Sequence, residues 1–181
     1  MVPFRFYVCP LIVAFLFLLS PLALAAAEFR ILAIPRSERF FTQSITTQAR
    51  FDQYIKGLQE GLSWPPGPRK DLIAALNRSK CDFSKEALIL LSHSENSGMT
   101  PVDLETPKLE GENLVCSLKV EKVTGAVTMD IGHHSFALAV DKSRIKTVVF
   151  RAPGRHEQVL STAVDTMSKY FPPANSAGRS F

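Results

Sequence analysis

Four histidines, two cysteines beyond Cys9 and a set of dispersed carboxylates are the residues of this sequence that could do metal, nucleophilic or acid–base chemistry. His93 and Glu95 are two positions apart, the spacing that places both on one face of a strand. His133 and His134 are adjacent, so a strand would send them to opposite faces, and both could ligate one ion only in an irregular turn. If the fold brings the two regions together, His93, Glu95, His133 and His134 form a candidate metal or small-molecule site. The ordinary reading of the same residues is exposed or hydrogen-bonded histidines beside a turn.

Cys81 and Cys116 form an even pair, and in an exported chain the simplest expectation is a disulfide between them. The alternative is two separate buried thiols, because free cysteine behaves as a small hydrophobe and Cys116 falls on the apolar side of its segment. A cysteine nucleophile would need a base placed beside it. His93, His133, His134 and His156 supply candidates, but neither cysteine sits in a recognisable local signature. There is also no Gly-x-Ser-x-Gly elbow and no recognisable triad order. The expectation is a protein that is not an enzyme and uses no cofactor.

Export is read from residues 1–27. Arg5 precedes an apolar run from Val8 to Leu19, shorter than the roughly 20 residues of a membrane span, and the small residues Ala23, Ala25 and Ala27 follow Pro21. This is the pattern of a secretory signal peptide, which implies a periplasmic or secreted protein without stable membrane insertion after cleavage. Cys9 precedes the apolar core, the wrong place for lipid attachment. With 21 basic and 17 acidic residues the net charge is only +4, and the charges are spread without blocks. A nucleic-acid partner would call for a clustered basic stripe, so none is expected.

The elements that must position these residues follow from periodicity. Glu28 to Pro35 and Phe40 to Thr46 read as short strands. Phe51, Tyr54, Ile55, Leu58 and Leu62 recur at helical spacing, with Thr46 or Thr47 as N-cap and Gly61 as terminator. The proline-rich connector from Trp64 to Pro68 cannot continue a helix, and a second short helix is expected from Lys70 to Asn77. Ala87 to Leu91 is a continuous apolar run, the pattern of a strand buried on both faces.

Val102 and Leu104, Leu114 to Val120, Val127 to Ile131, Ser135 to Val140 and Ile145 to Phe150 are further strands, with turns at Glu110 to Asn113 and at Pro153-Gly154. After Arg155 the helical period returns at Val159, Leu160, Ala163, Val164, Met167 and Phe171. The expected fold is therefore α+β: an antiparallel sheet or sandwich, one or two helices before it, and an amphipathic C-terminal helix. It occupies a single domain over residues 28–171, followed by a disordered tail over 172–181.

The stretch from Cys81-Asp82-Phe83-Ser84-Lys85-Glu86 into Ala87 to Leu91, the small loop with Ser97-Gly98-Met99, and then Val102 to Leu104 resembles the domain at the C-terminal end of the PrcB-type protease complex subunit. The resemblance spans approximately residues 40–151 and includes the preceding helical segment. It implies an exported β-rich accessory domain that supports assembly or activity of another exported protein, in the type case a secreted protease. Ser97-Gly98-Met99 departs from the paired glycines of the family's turn, and the helix expected after Arg155 is additional.

The expected function is accordingly that of a non-enzymatic accessory or protein-interaction domain with another exported protein as partner. Its contact candidates are Ser97, Gly98, Met99, His133 and His134, on loops carried by a stiff scaffold. A small-molecule or metal-binding envelope protein using the loop histidines is the alternative.

Overall fold

Leu88 and Leu90 point to one side of a strand and Ala87, Ile89 and Leu91 to the other, and both sides are covered, as the unbroken apolar run predicts. This strand, β3 (Glu86–Glu95), is central to a sheet that also contains β1 (Phe29–Leu32), β2 (Gln43–Ile45) and β7 (Gly132–Asp141) in the order β1-β7-β3-β2, all antiparallel. The computed structural model describes residues 28–61, 69–96, 100–121 and 130–165. The proposed signal peptide, the loop Ser97-Gly98-Met99, residues 127–129 of the strand expected from Val127 to Ile131 and the tail at 172–181 lie outside those residues; Asp130 and Ile131, the described end of that expectation, are not in a strand.

One face of this sheet carries two helices, α1 (Gln48–Gln59) and α2 (Lys70–Arg78). Thr47 is the N-cap of α1, its side chain accepting from the Arg50 amide at 3.2 Å. Gly61, at φ +67°, turns the chain away past the last helical residues, as the sequence predicts for its terminator. Phe51, Tyr54, Ile55 and Leu58 of α1 and Leu72 and Leu76 of α2 pack with Leu88, Leu90, Ala137 and Ala139. The helices thus form the first layer.

The second sheet covers the opposite face. It contains β4 (Val102–Leu104), β5 (Lys108–Glu110), β6 (Asn113–Val120), β8 (Thr147–Arg151) and β9 (Gln158–Ser161), in the order β4-β6-β8-β9, with β5 also on β6. The turn between β5 and β6 is reached through Gly111 at φ +64°. Leu114, Cys116 and Leu118 of β6 and Val148 and Phe150 of β8 meet Ile89, Leu91, Phe136, Leu138 and Val140 between the sheets. The result is an α+β fold of three layers: helices, a sheet buried on both faces, and a second sheet.

Two details differ from the sequence reading. Strands β6 and β8 are parallel, pairing Asn113 with Thr147 through Ser117 with Arg151. The chain between them passes through β7 of the other sheet, so β8 returns in the same direction as β6. The C-terminal amphipathic helix is also not formed at its start: the chain does not leave the β region at Pro153-Gly154 but adds β9, antiparallel to β8. Of the expected apolar stripe, Leu160 is buried and its neighbour Val159 exposed, as a strand lying on the sandwich requires, and Val164, past the end of β9, is exposed too. Residues 166–171 of that expectation lie outside the described part.

Between β1 and β2 the chain crosses the end of the first sheet as a strap. The Ser135 hydroxyl bonds the carbonyls of Pro35 and Arg36 and accepts from the Glu38 amide, while Thr42 Oγ1 bonds both the amide and carbonyl of Ser92. Arg69, buried at the start of α2, donates to Glu38 at 3.0 Å and to the Arg39 carbonyl. The strap brings Arg39, Phe40 and Phe41 over the ends of β3 and β7.

Candidate functional site

The same end of the sheet gathers the histidines that stand out in the sequence. In the β3–β7 ladder His93 lies directly opposite His134 and Ser94 opposite His133, so the two sequence regions are brought together. They do so as paired strands: His133 and His134 belong to β7 and not to a turn or loop, and they point to opposite faces. His93, Glu95 and His134 face the second sheet, whereas His133 and Ser94 face the strap.

His93 is buried and donates from Nε2 to Oε1 of Glu95 at 2.5 Å, the same-face pair that a spacing of two produces. The Nε2 atom of His134 is buried, without a hydrogen-bond partner among the described residues. Burial, reinforced by the neighbouring His93, holds the His134 pKa below its ordinary value against the opposing pull of Glu95 and Asp103. On the other face, Ser94 Oγ and His133 Nδ1 are 2.9 Å apart. Burial lowers the His133 pKa too, with Arg39 and His134 adding to the effect.

These arrangements limit the chemistry. The four-residue set His93, Glu95, His133 and His134 cannot surround one ion, because the sheet divides His133 from the other three. Among the described residues no group of three His, Cys, Asp or Glu is arranged to hold a metal. Ser94 and His133 have the contact of a nucleophile and its base, yet among the described residues no carboxylate bonds the other ring nitrogen of His133 to orient it.

The expected disulfide between Cys81 and Cys116 is absent, and both thiols are free. Cys116 lies between the two sheets and Cys81 packs against the helix layer, so the first sheet stands between them. Burial pushes the Cys116 thiol up to about 12. Burial, with Glu86 beside it, does the same to Cys81, also to about 12. A thiol held so far above neutral pH supplies almost no thiolate, and the thiolate is the nucleophile.

Two cavities flank the histidine end. One of about 360 Å3 lies between the strap and the sheet and includes Arg39, Phe41, Thr42 and His133. The other, about 200 Å3, lies on the side of the second sheet and includes His93, Phe150, Arg155 and His156. Ser92, Ser94 and Gln158 border both, so they adjoin. Arg39, Arg155 and Gln158 are lining residues beyond the sequence candidates. The cation followed by two aromatics in Arg39-Phe40-Phe41 was a readable signal; nothing local marked Arg155 and Gln158.

The class of protein defined here is a three-layer α+β sandwich with a cleft at one end of its central sheet. No family model, curated protein or solved structure matches the chain. Among the described residues no helix is long and apolar enough to cross a membrane.

Proposed function

We propose that this is an exported, non-enzymatic accessory domain that binds another exported protein, such as an envelope or secreted protease, and supports its assembly or modulates it. The observation that carries the reading is the side of the sandwich where the edge strands β2 and β9 meet. Phe41, Val159 and Val164 are 41%, 60% and 66% exposed there. Ser44 of β2 donates to the Val164 carbonyl at 3.0 Å, and Phe41 and Gln158 border one cavity, so the two edge strands meet beside the cleft; Phe41 lines it, while Val159, next to Gln158 on β9, points to the other face of that strand. Exposed apolar groups beside a cleft on a rigid scaffold suit protein contact better than turnover. The leader-like residues 1–27 and the resemblance to the PrcB-type accessory domain support the same reading.

The test places a photo-crosslinking residue at Val159 and, as a control on the helix layer, at Lys56 in cells making the native protein. A discrete heteromeric adduct from position 159 and none from position 56 is expected. Recovery from both positions of the protein alone, as an uncrosslinked monomer, counts against an interaction role.

A further inference from the structure

The cleft has cationic walls, and we propose that it holds an extended acidic segment of the partner, with carboxylates on Arg39 and Arg155 and an apolar side chain against Phe41. This rests on the protein-binding reading above and gives the partner a chemistry. The two cavities lie one on the strap side of β3 and one on the side of the second sheet, and they share Ser92, Ser94 and Gln158, so they adjoin around the end of that strand. Arg39 and His133 stand in one half, and Arg155 and His156 in the other. No Asp or Glu borders either half among the described residues.

The acids closest in sequence are engaged elsewhere. Glu38 accepts from Arg69 at 3.0 Å, Glu95 from His93, and Glu157 from Arg151 at 2.7 Å. Arg39 and Arg155 have no salt bridge among the described residues. A planar guanidinium binds a carboxylate through two parallel N–H donors, and two of them in adjoining cavities suit a chain with carboxylates at intervals. An extended peptide alternates its side chains, so acidic residues can meet the arginines while an intervening apolar residue meets exposed Phe41.

The probe is a fluorescein-labelled decapeptide of alternating glutamate and leucine, titrated by anisotropy against the mature full chain. A lysine–leucine peptide and a ten-nucleotide oligothymidylate run beside it. Saturable binding of the acidic peptide, weakened at least about tenfold by added salt or by the double substitution Arg39→Glu with Arg155→Glu, is expected. Arg39→Gln with Arg155→Gln should weaken it less, and both variants should melt as the parent does.

Absence of binding, equal binding to the double variant, or preference for the basic peptide or the oligonucleotide overturns the proposal. The crosslink at Val159 separates the two readings. If it forms equally in the parent and the Arg39→Glu/Arg155→Glu variant, the domain binds a partner but not through this cleft; if it never forms, the protein-binding reading itself fails.

Discussion

His93 and His134 are cross-strand partners in the β3–β7 ladder, and among the described residues only His93 has a carboxylate on its ring. The two imidazoles sit between the sheets with Glu95 beside them on β3 and Asp103 on β4, the latter paired to Arg36 at 2.6 Å. Burial, with His93 close by, disfavours a charge on His134 and lowers its pKa in the folded state.

Stability should therefore depend on pH in the range of an ordinary histidine. The folded pKa values of His134 and His133 are depressed, so below the unfolded value of about 6.5 the unfolded chain takes up protons that the folded chain does not. The sign is a stability that is full above that value and declines as pH falls through it. Thermal melts from about pH 7.5 down to about pH 5.5 should show a falling Tm, and His134→Gln should make the fall shallower. A parent and variant with identical pH profiles would remove His134 as a cause.

The free thiols make a separate prediction. A reductant should leave the urea midpoint unchanged, because no bond joins Cys81 to Cys116. Cys116, with no exposure, should react with a thiol reagent only after unfolding. Cys116→Ser places a hydroxyl between two apolar sheets and should cost about 1–3 kcal/mol, measured by the same urea titration.

Arg69 fastens the strap to the start of α2. Its side chain is 7% exposed and that of Glu38 21%, so truncating Arg69 leaves a mostly buried carboxylate without this cation. Arg69→Ala should destabilise by roughly 3–5 kcal/mol in denaturant unfolding. Hydrogen exchange should quicken at residues 39–42 ahead of global unfolding, and equal protection there would show that the strap is held by other contacts.

Gly111 tests the turn between β5 and β6. A side chain there meets nothing within 4 Å, so any cost of Gly111→Ala comes from the backbone at φ +64° and not from a clash. The expected loss is about 1 kcal/mol, with a smaller loss for Gly111→Asn, because asparagine tolerates the left-handed region better. Chemical denaturation of the pair measures both.

Much of the fold is legible in local pattern. The spacing of Phe51, Tyr54, Ile55 and Leu58 marks α1, the alternation Leu114, Cys116, Leu118 marks β6, and the unbroken run at Ala87 to Leu91 announces a strand covered twice. The failure at the C-terminus is equally physical. Val159, Leu160, Ala163 and Val164 fit a helical stripe, but pairing of Val148 with Leu160 and Val149 with Val159 satisfies that backbone on β8 and leaves Val159 outward.

The candidate site divides the same way. That adjacent His133 and His134 would point apart, and that His93 and Glu95 would share a face, follows from the two-residue repeat of a strand; that His133 and His134 lie in a strand instead of the expected loop is shown by the ladder of β7 on β3. That His93 opposes His134, that a sheet separates Cys81 from Cys116, and that Arg39 and Arg155 border adjoining cavities was decided only by tertiary structure. Periodicity orients each side chain relative to its own backbone, whereas register and the stacking of layers depend on pairings between residues far apart in the chain.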